Sequence, residues 1–355
     1  EWQEMLGLVS FRDNPTGTNI AASLPGWQFS NQNPVYATLS PAQQQQYDRN
    51  LDSMRAINTD WHDIFFRTGK FNSHDISLSG GSQQTRYYSS VGVYDEEGIA
   101  ERSDLKRYTF RLNLDHSADK FNVSFNSGIG YTKRNFIESE GGVFLANPYA
   151  AVYLALPYHP LYRPDGKVAV GGGRTGANAY SRILDRESNN NQLKGNLSVN
   201  FNYDFTKNIY AGAQLGLDFR ETNAQTITKP GTYTAFVSGA LTGPNPATPN
   251  DTSSSRGNYS ESLTRWLQHQ SRFFIGYRNV FNQRHNVNVT LNSEYIETRT
   301  RSFGFTGYGL NPKLPPSPAT LTPGTVGNQL IPTFSGGNAQ KKLYSTFGTA
   351  NYTYI

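Results

Sequence analysis

Cysteine is absent from this 355-residue chain, methionine occurs twice, and no run of about 18 consecutive apolar residues exists. Each absence removes a class of protein. Without cysteine there is no disulfide framework and no zinc–thiolate site. Without a long apolar run there is no transmembrane helix; the nearest approach, Ala146–Tyr158, is too short and carries two prolines. Charge of one sign is missing too. The 32 Lys and Arg are interleaved with 27 Asp and Glu, which leaves +5 and no basic block, so nucleic acid is not an expected partner. Glu1–Ser10 lacks the basic segment and apolar core of an export signal, so an exported form is expected to begin elsewhere.

Signals for chemistry are equally scarce. There is no G-x-S-x-G elbow and no Walker A pattern. His62, His74, His116, His159, His269 and His285 show no metal-ligand spacing, and Asp95, Glu96 and Glu97 are not followed by the spacing of a calcium loop. The GGGRTG at 171–176 satisfies a dinucleotide fingerprint only in letters, with no strand before it and no helix after it, and reads as a loop. No enzyme activity, cofactor or metal is expected.

What is abundant is β-forming: 22 Tyr, 21 Phe and 33 Gly. The clearest stretch is Asn191–Asn223. Leu197, Val199, Phe201, Tyr203 and Phe205 alternate with Ser198, Asn200, Asn202 and Asp204. After Thr206–Asn208, a tight turn, Ile209, Ala211, Ala213, Leu215, Leu217 and Phe219 alternate with Gly212, Gln214, Gly216 and Asp218. Successive strand side chains point to opposite faces, so this is a hairpin with one apolar and one polar face. Its arms run to roughly 12 to 15 residues, against a mean of about 5 to 6 in globular proteins. A tilted membrane-spanning strand needs about 9 to 11.

The same pattern recurs from Ser73 onward. Strands are expected at Asp75–Ser79, Thr85–Tyr94, Leu105–Asp115, Phe121–Lys133, Leu263–Val280, Asn286–Phe303 and from Lys342, about nine in all with the hairpin. Residues 1–72 are irregular and helical, with Ser40–Pro41 opening a helix through Ile57. Residues 73–355 form the strand region. Its connections alternate: short turns near 81, 117, 207 and 283, long loops near 99, 160, 240 and 320. In an up-and-down sheet, all short turns then lie at one end and all long loops at the other. The expected fold is therefore an all-β transmembrane antiparallel barrel, with short periplasmic turns, long extracellular loops and outer-membrane lipid around it. Phe121, Phe205 and Phe281 beside the turns would form an interfacial row. A barrel must close in lipid, so these strands are part of a larger one.

Particular residues carry a family resemblance. TDWHDIFFRTG (59–69), HDISLSGGSQQTRYYSSVGVYDEEGI (74–99) and LKRYTFRLNLDH (105–116), in this order, resemble the SusC/RagA-like TonB-dependent transporters of the Bacteroidetes outer membrane. NPYAAVYLALPYHPLYRPDGK (147–167) is similar to a long extracellular loop of that family, and QLKGNLSVNFNYDF and LYSTFGTANYTY to later strands. The resemblance implies a barrel of about 22 strands, an N-terminal plug, import of glycans or peptides driven through TonB, and a SusD-like surface lipoprotein as lid. Neither plug nor TonB segment is seen in this sequence.

Two sets of candidate residues follow. Arg111, Asn113, Asn200, Asn202, Asp204, Gln214 and Asp218 lie on polar strand faces and would line the lumen. Tyr149, Tyr153, Tyr158, Tyr162 and Arg163 share one loop; aromatic rings stack on sugars and Arg forks onto carboxylates, so they would touch substrate or lid, the other reading being loop packing. Alternatives to the importer are a passive porin or surface adhesin barrel, and a soluble glycan-binding module or glycoside hydrolase, which would need paired carboxylates on facing strands.

Overall fold

The computed structural model describes residues 2–13, 24–136, 147–170, 176–232, 257–327 and 330–354. Most of GGGRTG and of the 243–257 loop lies outside the described residues. The chain divides into two compact units, Glu1–Phe66 with Ser139–Ser181, and Arg67–Glu138 with Arg182–Ile355.

The second unit is a single antiparallel sheet whose nine strands are neighbours in sequence order. They are β1 (Lys70–Gly81), β2 (Thr85–Glu97), β3 (Asp104–Ala118), β4 (Phe121–Asn135), β5 (Arg186–Asp204), β6 (Ile209–Thr228), β7 (Asn258–Phe281), β8 (His285–Tyr308) and β9 (Thr333–Tyr354). This is the wall segment of a transmembrane β-barrel. Strand existence and order agree with the alternation, but every strand is longer than expected. The arms of the central hairpin reach 19 and 20 residues. The extra length lies where the apolar alternation stops, at Arg186–Gln192 and Thr222–Thr228. There the ladder carries side-chain bonds instead of an apolar face: Asn189 Nδ2 donates to Gln225 Oε1 at 2.7 Å, and Gln192 Nε2 to Thr222 Oγ1 at 3.2 Å. Backbone pairing needs no apolar residues, so alternation marks only the middle of each strand.

The register sorts the side chains. Directly opposed residues share a face, and one face reads Val91–Phe110–Ile129 across β2 to β4, and Val123–Phe201–Ala213–Phe273 across β4 to β7. Many of these stay exposed, including Val91 at 52 %, Leu215 at 41 % and Phe273 at 55 %. No second layer covers them among the described residues, so they are not the inner face of a sandwich. The band has aromatic borders. Phe121 and Tyr203 are opposed near the turns, while Tyr108 with Tyr131, and Tyr295 with Tyr344, are opposed farther up. From Phe121 to Tyr131, and from Ile209 to Phe219, is ten residues. That is about 33 Å along a strand and about 25 Å once tilted as barrel strands are, the height of an outer-membrane apolar band. Phe205 falls one residue past β5, edge-on to Tyr203 at 4.9 Å; Tyr203 holds the place in the register that the alternation gave to both.

The four tight turns are where expected. Asn282 and Gln283 both take positive φ, 50° and 55°, the left-handed pair that matches the twist of flanking strands. The Thr206 hydroxyl accepts from the Asn208 and Ile209 amides at 3.1 and 2.9 Å, and Ser82 does the same for Gln84 and Thr85. At the opposite end, the 309–322 loop folds back so that Leu310 and Leu321 pack with Ile227, Tyr259 and Phe305.

The first unit is helical. It contains α1 (Trp2–Asp13), α2 (Pro25–Gln28), α3 (Pro41–Arg55), α4 (Trp61–Phe65) and α5 (Pro148–Leu154), and the start of α6 (Gly176–Asp185). α3 starts as its sequence predicts, on Ser40 and Pro41. Gln43 completes the cap, its Oε1 accepting from the Ser40 amide at 3.0 Å and hydroxyl at 2.8 Å. α3 ends at Arg55, near the expected Ile57, and a second helix that the sequence reading did not contain follows: the Asp60 carboxylate accepts from the His62 and Asp63 amides and caps α4.

Candidate functional site

Two surfaces hold the candidate residues. The first is the polar face of the sheet. Asn113 is opposed to Asn126, Ser124 to Asn200, Asn200 to Gln214, and Gln214 to Arg272. Arg111, Asn202, Asp204 and Asp218 sit at even steps from these on their own strands, so all seven predicted residues occupy one face, opposite the apolar band. Short residues and glycines (Gly92, Gly128, Gly130, Gly212, Gly216, Gly276) alternate among them. The surface is rich in donors and acceptors.

Several residues that the alternation did not single out tie this face together. Arg278 Nη2 donates to Asp204 Oδ1 at 2.7 Å, and its guanidinium lies 5.1 Å from the Tyr210 ring. The Tyr210 hydroxyl donates to Asn288 Oδ1 at 2.7 Å. Arg272 donates through Nε and Nη2 to Asn292 Oδ1 at 3.1 and 2.9 Å, and its guanidinium lies within 6 Å of both Phe274 and Phe347, at 5.9 and 5.7 Å. Gln270 Nε2 donates to Glu294 Oε1 at 2.9 Å. Asn292 is 1 % exposed, so its partners decide its cost. The signal was present in the even positions of NVNVTLNSE, but its meaning depends on which strand lies alongside, and that is not local information.

The second surface belongs to the helical unit. Trp61 is buried, donates Nε1–H to Leu156 O at 3.0 Å, and stands where any Cβ at Gly176 would strike its ring at 2.7 Å. Thr59 adds two bonds to the same loop, N–H to Pro157 O at 2.8 Å and hydroxyl to His159 O at 2.7 Å. The distinctive Thr–Asp–Trp segment is thus the anchor on which 147–170 is folded. Phe65, fully buried, meets Tyr180 edge-on at 6.3 Å.

On that anchor the five predicted loop residues divide. Tyr149, on α5, packs on Phe66 with ring centroids 4.9 Å apart. Tyr158 meets His159 edge-on at 4.6 Å. Arg163 pairs with Asp165 at 3.6 Å, its backbone closing a small hairpin with Lys167. Tyr153 and Tyr162 are outward, 90 % and 52 % exposed. Of the five, these two present the most free ring surface. His159 Nδ1 is buried without a partner among the described residues, and burial holds the imidazole pKa below its ordinary value. Among the described residues no cluster of His, Asp and Glu is arranged to hold a metal.

No protein-family profile matches the chain. Curated relatives do. It is 27% identical over 153 residues to TonB-dependent receptor P26 of Formosa agariphila, covering 43% of this chain and 14% of that one. It is 26% identical over 197 residues to TonB-dependent receptor SusC of Bacteroides thetaiotaomicron, covering 49% and 19%. The chain therefore spans under a fifth of the length of these relatives. Among solved structures, the RagAB peptide transporter matches 99% of this chain with 37% of its own, at TM-score 0.71 and 19% identity. The open-open state of the RagAB peptide importer matches at TM-score 0.68 and 22% identity, again over 99% and 37%. At these identities the structural likeness speaks for the fold, and the fold is the one read from the register.

Proposed function

We infer, from a chain that is SusC/RagA-like in sequence and in fold, that it is wall and loop of an outer-membrane importer of oligomeric nutrients, glycans or peptides. Residues 1–72 would lead into the wall and 73–355 form it. Import would be energised through TonB acting on a plug, with a SusD-like surface lipoprotein closing the loop end. No bond is made or broken in this reading. Binding at the loops selects cargo, and force from the inner membrane opens the path.

One observation carries the reading. From β3 to β6 each strand keeps an apolar face, about 25 Å tall on β4 and β6, and a hydrogen-bonding face on the other side. The relatives' shared description as TonB-dependent receptors supports the energised version over an open pore. In this arrangement Arg111, Asn113, Asn200, Asn202, Asp204, Gln214 and Asp218 line the lumen around the plug. Tyr153 and Tyr162 offer rings to sugar or peptide cargo or to the lid. Tyr149, Tyr158 and Arg163 shape the loop that carries them.

The test is growth and uptake of labelled oligosaccharides or oligopeptides by cells carrying the full-length protein. Deleting its gene is expected to abolish uptake of one cargo class, and collapsing the proton-motive force to do the same. The pair Tyr153→Ala and Tyr162→Ala should weaken uptake at low cargo concentration while surface levels stay normal. Uptake that survives loss of the proton-motive force would overturn the energised reading and leave a passive pore.

A further inference from the structure

Past the aromatic border, the face of β7 and β8 that carries Phe273 and Leu291 lower down changes in composition. On β8 the border residue is Tyr295, and Arg301 and Phe303 stand six and eight residues beyond it. On β7, Arg265 and Leu263 stand six and eight residues beyond Ser271, which is opposed to Tyr295. Counted along each strand, six residues are about 20 Å, or about 15 Å of height after tilt, which clears a headgroup layer of about 5–8 Å. These side chains meet the aqueous side of the membrane.

Arg265 and Arg301 are directly opposed there. Opposed side chains on one face have Cβ atoms about 4.5–5.5 Å apart, and like charges at that spacing repel. Arg265 is held by Glu221, its Nε 2.7 Å from Oε2. Arg301 has no ion-pair partner among the described residues, and both arginines are exposed. The next pair along is apolar: Leu263 is opposed to Phe303, and both are exposed, Phe303 at 54 %. On its other side Phe303 is opposed to Gly336, and Phe334, 80 % exposed, is its diagonal neighbour across that glycine. Diagonal neighbours lie about 7–8 Å apart, so the glycine leaves a gap without a side chain between two exposed rings. Asn338, also exposed, stands opposite Arg301. β7 and β8 have neighbours on both sides, so the exposure of their residues is not that of a sheet edge.

These groups complement one kind of ligand. Arg265 and Arg301 share a single carboxylate, that of Glu221. A second anion between them turns their repulsion into attraction, and a guanidinium fork fits a carboxylate in its plane. Exposed rings in water offer flat apolar surface to the C–H face of a sugar. The Asn338 amide can both donate and accept, as sugar hydroxyls require. A neutral glycan would leave the arginines uncompensated, and a simple anion would leave the rings bare. A carboxylated sugar satisfies both.

We propose that Arg265, Arg301, Phe303 and Phe334 form a binding strip for an acidic polysaccharide of carboxylated sugars, on the face of the wall opposite the lumen-lining residues. The full-length protein in mild detergent is titrated with polygalacturonate, dextran and polyphosphate. Polygalacturonate should bind saturably and dextran should not. Arg265→Gln with Arg301→Gln should weaken polygalacturonate by about tenfold or more, through the loss of charge-assisted bonds, while the unboiled protein keeps its folded position on a gel. Phe303→Ala with Phe334→Ala should weaken it by about threefold or more and leave polyphosphate binding unchanged, a split that a bare patch of charge would not show. The proposal is overturned by a parent protein that does not bind polygalacturonate, or that binds dextran equally well. It is overturned too by an arginine variant that binds polygalacturonate like the parent. The same holds for a phenylalanine variant that binds it like the parent or loses polyphosphate along with it.

Discussion

Placing one arginine on either side of β5 tests which face meets lipid. Leu197 and Ser198 are neighbours in sequence but lie on opposite faces. Leu197 is opposed to Ser127 and Leu217; Ser198 is opposed to Asn126 and Gly216. On β5 the band runs from Leu193 to Tyr203, so its midpoint is Ser198 and Leu197 lies about 3 Å from the midplane after tilt. A cation at that depth on the lipid face costs about 2–4 kcal/mol, falling to about 0–1 near the interfaces. Leu197→Arg should therefore be less stable than Leu197→Ala by about 2–4 kcal/mol, roughly 30- to 700-fold in the folding equilibrium. Using alanine as the reference removes the separate loss of the leucine. Ser198→Arg against Ser198→Ala should change stability by less than about 1 kcal/mol, as surface changes do. There is room for it: a Cβ on Gly216 would find its nearest neighbour, Gln270, 3.7 Å away. The assay is urea unfolding of the full-length protein in lipid vesicles, read by gel mobility without boiling. Equal costs at the two sites, or the larger cost at Ser198, would refute the assignment of faces.

Two further outcomes concern the helical unit. Trp61→Ala removes a buried indole and its bond to Leu156 O, and should destabilise the unit by about 3–5 kcal/mol; limited proteolysis should then cut within 147–170 at lower protease concentration, with Trp61→Phe in between. His159 is disfavoured as a cation by burial, its pKa held below the ordinary 6.5. A group of this kind contributes full stability above 6.5 and loses it as pH falls through and below that value. Protection of 147–170 should decline on acidification, and His159→Gln should flatten the profile; an unchanged profile in that variant would assign the acid sensitivity elsewhere.

How much was legible beforehand depends on how local the cause is. The middles of strands could be read because a two-residue period records which solvent each side chain meets, and one slip would move a whole strand's apolar set to the wrong side. Turns were legible because Thr206, Ser82 and the Asn282–Gln283 pair act within their own few residues. Strand ends were not. Thr222–Thr228 and Arg186–Gln192 carry no apolar alternation, Ile227 apart, and pairing with each other extends them. The same holds for Trp61. In sequence it stands after a polar stretch and looks like a helix terminator; its partners are Leu156 and Gly176, about a hundred residues away.

Candidate residues divide along the same line. Face membership of Arg111, Asn200 or Gln214 follows from counting by twos, and the register places each on the polar face. What a residue does on that face does not follow from counting. Asp204 is tied to Arg278 from a strand 74 positions on, and Arg272 gains Asn292 and Phe347 from two further strands. Arg301 is the converse case. By parity it falls on the apolar side of β8, but it stands six residues past Tyr295, beyond the aromatic border, so counting by twos gives its face and not the solvent it meets.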